Sequence, residues 1–189
     1  MIHSPMKFRP YLFVSVIFLL SLIVLSCENK VDFIPKSDFL SQPSVTAKNF
    51  QTIFTDSGKL QLILSAPLME KYNSGEFPYT EFRFGMVAVY YNGKKVPVGS
   101  TTSKYARFNQ TENLWILKDS VIVINESGDK LETELLYWDQ TKDLIYTDRF
   151  VKITNEDQII MGTGFESDPR LVKRRIKKVT ATIYLKNEK

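Results

Sequence analysis

From Thr46 onward the sequence alternates apolar and polar residues with period two, in short runs set off by turn residues. Such runs bury one face only as β-strands, because successive side chains of a strand point to opposite sides. Lys59-Leu60-Gln61-Leu62-Ile63-Leu64-Ser65 reads as a strand, and the stretch from Glu81 through Tyr90 as another, unbroken one. Val121-Ile122-Val123-Ile124 is a short apolar strand, and Leu131-Glu132-Thr133-Glu134-Leu135 alternates throughout. Asp56-Ser57-Gly58, Tyr91-Asn92-Gly93, Asn125-Glu126-Ser127-Gly128-Asp129 and Asn155-Glu156-Asp157 supply turns between the runs. No segment sustains a helical period, and residues 67–72 form one helical turn at most. Many short strands at regular spacing predict an all-β fold: a sandwich, jelly roll or barrel.

A repeat sharpens this. Displacing the sequence by 30 residues lays residues 108–126 on residues 138–156. Gln110 then meets Gln140, Thr111 meets Thr141, Leu114 meets Leu144, Val121 meets Val151, and Asn125-Glu126 meets Asn155-Glu156. Continued, the match sets Leu131 on Met161 and Thr133 on Thr163. Stacked copies of a β unit close a continuous core that one copy cannot. Chance likeness between two β segments is the competing explanation. The repeat also assigns the inner face: Val121 and Val123 match Val151 and Ile153, whereas Ile122 and Ile124 match Lys152 and Thr154. The odd-numbered side is therefore the interior. The candidate interior set is Leu62, Leu64, Phe82, Phe84, Met86, Val121, Val123, Leu135, Val151 and Ile153. Ordinary core packing accounts for each of these taken singly.

The N-terminal region has a different character. Residues 1–10 carry Lys7 and Arg9 and no acid; from Tyr11 to Val24 the chain is apolar apart from Ser15 and Ser21. A basic start, an apolar stretch of about 7–15 residues and a small residue at the cut describe a secretory signal. Val24-Leu25-Ser26-Cys27 resembles a lipobox, where a bacterial signal is cleaved and the cysteine acylated; Leu25 is less usual at its position. The alternatives are an uncleaved membrane anchor, which needs roughly 20 apolar residues, or a lone buried cysteine. The expected division is a signal over residues 1–26, a tether over 27–45 and a β domain over 46–186. Once the signal is gone, 23 basic residues face 21 acidic ones, a balance that gives no argument for nucleic acid.

Several chemistries lack their residues. The one histidine, His3, lies in the signal, and the one cysteine is the expected acylation site. That leaves the mature chain without His-based metal sites, cysteine zinc clusters or Ser–His and Cys–His catalysis, and no cofactor is expected. Acids such as Asp119, Glu126, Asp129, Asp139 and Asp157 sit in turns, which is ordinary placement and argues against an enzyme. Lys173-Arg174-Arg175-Ile176-Lys177-Lys178 is the one cationic cluster. It fits either an edge strand whose charges block unwanted pairing or a contact to phosphate groups or an acidic partner.

The stretch from Lys118 to Asp139, with Val121-Ile-Val, Gly128, Leu131-x-Thr133 and Leu135-Leu-Tyr137-Trp138-Asp139, resembles the OstA-like units of lipopolysaccharide transport. Residues 145–153 and Gly162-Thr163-Gly164-Phe165 continue the pattern. Over residues 40–185 the chain resembles the LptC family. That resemblance implies an open, V-shaped β-jelly roll with an apolar trough. It implies receipt of lipopolysaccharide acyl chains from an inner-membrane ABC transporter, and pairing of an edge with a periplasmic LptA-like bridge protein. It places the protein on the periplasmic side of the inner membrane. An anchor at Cys27 departs from the uncleaved helix of familiar members.

Physical chemistry fits that implication. Burying a methylene is worth about 0.8 kcal/mol, so an acyl chain of about 12 carbons costs on the order of 9 kcal/mol bare in water. The open edges are expected near residues 46–54 and 172–185. The competing readings are a structural or adhesive surface lipoprotein with a closed β-sandwich, and a carboxylate-based hydrolase with two acids about 5–10 Å apart.

Overall fold

The computed structural model describes residues 42–93 and 95–185. The residues that carry the expected signal, lipobox and most of the tether lie outside them. Eleven strands form one antiparallel sheet: β1 (Val45–Asp56), β2 (Lys59–Tyr72), β3 (Tyr79–Phe82), β4 (Met86–Tyr91), β5 (Pro97–Ser103), β6 (Tyr105–Asn109), β7 (Leu114–Ile124), β8 (Lys130–Asp139), β9 (Leu144–Thr154), β10 (Gln158–Ser167) and β11 (Arg174–Tyr184). No helix occurs among the described residues. Residues 67–72, where a single helical turn was the most the sequence offered, complete β2 instead.

The pairing folds this sheet over on itself. β7 pairs with β8 on one side; on the other, Leu114–Lys118 pairs with β6 and Ile122–Ile124 with β5. β2 behaves likewise, with β1 on one side and β4, then β3, on the other. β7, β5, β4, β2, β3 and β6 thus close a ring, and β8 to β11 extend from it as an open wing.

The handovers fall on one line, which divides the sheet into two leaves. The chain crosses it at the turn Arg83-Phe84-Gly85 between β3 and β4, and at Lys104 between β5 and β6. β7 crosses at Asp119 and Ser120, whose φ of +62° and +54° bend the strand. The β9–β10 pairing breaks at Gly164, and the β8–β9 pairing between Thr133 and Tyr137. Pro67 lies in β2 between the stretches that β4 and β3 cover, where a missing N–H leaves no ladder bond unmade on that side.

Side chains from both leaves meet in one buried core. Phe82, Leu117, Leu136, Ile145 and Phe165 come from one leaf, and Leu64, Met86, Val121, Val123, Leu131, Val151 and Ile153 from the other. Phe50, Leu62, Met69, Tyr90, Trp115, Trp138 and Ile176 pack against them, half-buried. Phe82 stacks on Trp115 at 5.9 Å, which joins β3 to β7.

Candidate functional site

The interior between the leaves gathers eight of the ten expected residues. Leu64, Phe82, Met86, Val121, Val123, Val151 and Ile153 are buried in it, and Leu62 packs against it. Two residues depart from expectation. Phe84 is 68% exposed, because the run from Glu81 to Tyr90 is not one strand. Gly85, at φ +85°, turns the chain, and Phe84 lies on the turn. A side chain on Gly85 would clash with the Ser103 carbonyl oxygen, so the turn also rests on close backbone approach. Leu135 is the second departure. The break in β8 after Thr133 shifts the alternation by one residue, so Leu136 enters the core while Leu135 stays half-buried opposite Lys118.

Leu117, Leu131, Leu136, Ile145, Phe165 and Leu171, none of them among the ten, complete the interior with Ala66, Ala88 and Ala106. For some the signal was present: Leu117 in β7 and Ile145 in β9 keep the odd-numbered phase of Val121 and Val151 in the same strands. The interior is not wholly apolar. Tyr90 and Thr101 share a hydrogen bond of 3.0 Å, and burial pushes the Tyr90 phenol above its ordinary pKa. Thr133 donates to the Phe150 carbonyl at 2.8 Å. The Ser103 hydroxyl and the Trp138 indole N–H are buried with no hydrogen-bond partner in the structure.

Among the described residues, both ends of the sheet are open: β1 pairs with β2 alone and β11 with β10 alone. Each presents a row of unpaired backbone groups, which proteins normally blunt or cover. The cationic cluster lies on β11. Arg174 pairs with Asp129 at 2.7 Å and Lys177 with Glu166 at 2.7 Å, and the bond from Lys177 holds the Glu166 carboxyl below its usual pKa.

The outer face carries charge clusters. Arg83 bridges Glu70 and Glu81, which stand opposite each other on β2 and β3, at 2.9 and 2.8 Å. Arg83 also donates to the Tyr72 hydroxyl, and Tyr105 donates to Glu81 at 2.7 Å. Burial, with that bond to a carboxylate, pushes the Tyr105 phenol up to about 12. This acid pair shares one guanidinium and serves to lock the turn between β3 and β4 against β2. A trough of about 930 Å³ lies over the bends of β7, β8 and β9, lined by Leu135, Tyr137 and Phe150 among Lys118, Glu132, Glu134, Arg149 and Lys152. Asp119 lines it as well; of the three acids, Glu132 pairs with Lys130 at 3.1 Å and Glu134 accepts the Ser120 N–H at 3.1 Å. Among the described residues, no group of His, Cys, Asp and Glu is placed to hold a metal.

A search of the curated proteins finds no match. The model of a family described as lipopolysaccharide-assembly, LptC-related, matches residues 12–184, which takes in every strand of the sheet and most of the apolar run before it. With an all-β jelly roll throughout the described residues and a match over nearly the whole sequence, the chain belongs to the LptC family.

Proposed function

We propose that this domain receives the acyl chains of lipopolysaccharide between its two leaves, from the inner-membrane ABC transporter, and passes them to a periplasmic LptA-like bridge protein docked on a sheet edge. The family is a periplasmic, inner-membrane-associated one of lipopolysaccharide transport, and an accessory to transport rather than an enzyme family. The observation that carries the reading is a single apolar interior shared by two leaves, inside a sheet whose first and last strands each have one partner among the described residues. Leu64, Met86, Val121, Val123, Val151 and Ile153 form the proposed contact surface, with Leu62 at its margin. An entering acyl chain replaces contacts these side chains make with one another, so apolar burial is exchanged rather than lost.

The proposed attachment is an acyl group on Cys27, left by signal cleavage. A lipid there keeps the domain at the membrane while removing the helix that other members would set beside the transporter. Its test is a Cys27→Ser chain fed a clickable fatty acid. The account expects label on the native chain and none on the variant; equal labelling, or none on either, contradicts the anchor. Transport itself is tested by depleting the protein in cells. Newly made lipopolysaccharide should then accumulate at the inner membrane; its undiminished arrival at the outer membrane would overturn the proposed function.

A further inference from the structure

The mouth between the two leaves is tied across at one place. Residues 168–173 join β10 to β11 at the free end of the leaf that carries Ile145 and Phe165. Asn125 and Asp129 stand in the turn between β7 and β8, at the free end of the other leaf. The Asn125 side-chain amide donates to the Arg170 carbonyl at 3.2 Å, and Arg174 pairs with Asp129 at 2.7 Å. Among the described residues, no other hydrogen bond or ion pair joins the free ends of the two leaves. Between these ties Leu171 is 2% exposed and part of the core, while Arg170 and Val172 on either side of it are exposed. We propose that residues 168–173 form a displaceable strap: it closes the mouth of the wing, and Leu171 holds the place in the interior that an entering acyl chain takes. This rests on the lipid reading above and adds how loading is controlled.

The polar head group of the lipid stays in water while its acyl chains are buried. It therefore projects through the mouth, and a strap across the mouth stands in its way. Three features make the strap displaceable. First, its ties are one side-chain hydrogen bond and one partly exposed ion pair, each weak once solvation is counted. Secondly, the strap is bonded within itself and moves as one piece. The Asp168 carboxylate accepts the Lys173 N–H at 2.6 Å, and the Asp168 carbonyl accepts the Leu171 N–H at 3.0 Å. Thirdly, Leu171 has a φ of +59°, which residues with a side chain rarely adopt. Glycine or asparagine would hold such a turn with less strain; leucine holds it because its side chain is buried. Closure is thereby coupled to the state of the interior. An acyl chain in the buried place removes what keeps the strained backbone closed, while apolar burial is exchanged like for like.

The competing role is a static tie that completes the core, and it predicts the opposite response to loosening. A photocrosslinker at Ile153 reads lipopolysaccharide capture by the full-length chain in cells. L171G suits the backbone and removes the buried side chain; D129A/R174A removes the ion pair and leaves the core intact. Both should raise the adduct yield per chain about threefold or more. N155A loosens the matching turn of the repeat, away from the strap, and should leave the yield unchanged. In hydrogen exchange on the purified full-length chain in phosphatidylcholine nanodiscs, added lipopolysaccharide should speed exchange at Leu171 and Lys173 about tenfold while β10 stays protected. Yields unchanged or lowered in both release variants overturn the proposal; if L171G does not fold, D129A/R174A decides alone. An equal rise in N155A, the mark of general loosening, overturns it as well. So does greater protection of Leu171 and Lys173 with lipid bound, the mark of a static tie. If the native chain captures lipid and the release variants gain nothing, this inference alone falls; if neither native chain nor variants give adducts, the lipid reading falls with it.

Discussion

The two copies of the repeat fold alike and are used differently. Each begins with a hairpin whose last turn residue is left-handed, Asn113 at φ +49° and Asp143 at +50°. Each continues into an 11-residue strand, β7 or β9, and ends at an asparagine that caps the next turn. Asn125 accepts the N–H groups of Ser127 and Asp129, and Asn155 those of Asp157 and Gln158. Yet β7 is stitched to β5, β6 and β8 and closes the ring, whereas β9 has only β8 and β10 and belongs to the wing. The difference comes from the neighbours. Before β7 the chain breaks at the fold line, at Phe84-Gly85 and at Lys104, and its short strands turn back to complete a ring. After β7 the strands run through that line with irregular pairing and keep the sheet open.

Ring and wing nonetheless share one core, and the largest test concerns that. Phe82 in the ring and Phe165 in the wing are both buried, Phe165 completely. Phe82→Ala and Phe165→Ala should each cost about 3–5 kcal/mol and lower the midpoint of a single unfolding transition. Two resolved transitions in calorimetry would make the wing a separate unit and break the comparison.

The next effect should differ in reach rather than in kind. A Cβ on Gly99 would stand 2.6 Å from the Ile124 carbonyl oxygen, at the β5–β7 seam of the ring. One on Gly162 would clash with the Lys178 carbonyl oxygen, where β11 joins the wing. Gly99→Val and Gly162→Val should each cost about 1–3 kcal/mol. By hydrogen exchange, Gly162→Val should expose β11 alone, whereas Gly99→Val should loosen β4, β5 and β7 together. Equal spread of the two effects would contradict the division into ring and wing.

Smaller again, Asn125→Ala and Asn155→Ala should each cost about 1 kcal/mol in denaturant titration, because each removes an acceptor for two backbone N–H groups. Asn125 also donates to the Arg170 carbonyl, so its loss should be the greater. A negligible cost at both sites would deny the turns their common cap.

The smallest effect separates the hairpin turns. In the first, Asn109 donates to Glu112; in the second, Asp139 accepts from the Lys142 ammonium at 2.6 Å. That bond holds the Asp139 carboxyl below its ordinary 3.8. A lowered folded-state pKa contributes stability above the unfolded value, and the contribution is lost as pH falls through the lowered one. Asp139→Asn should therefore reduce stability at neutral pH and flatten its acid limb. An unchanged acid limb in melts from about pH 6 to pH 2 would contradict that assignment.

Much of this was legible in the sequence, and the misses share a cause. Alternation located the strands, the repeat located the inner face, and the cationic cluster marked an edge. Phe84 and Leu135 were misassigned because parity holds only along an uninterrupted strand, and both lie where strands cross the fold line. Nothing in a period of two announces such a crossing; Gly85 was its one local hint. The repeat slipped for a related reason. Ile153 stands between Leu131 and Ile160, not Met161, because the turn after Asn155 is one residue shorter than the turn after Asn125. Long-range pairing also overrode Pro67, which β2 accommodates at the one stretch where neither β3 nor β4 needs its N–H.

The central claim is that lipid lies between the leaves, on the inner face of ring and wing alike. Its most direct test is a photocrosslinking scan along β9 in cells, one residue at a time. Ile145, Thr147, Val151 and Ile153 are buried in the interior, while Tyr146 and Lys152 lie on the other face, half-buried. The account predicts lipopolysaccharide adducts at the four interior positions and none at Tyr146 or Lys152. Silence at all four, or adducts confined to the outer face, would contradict it.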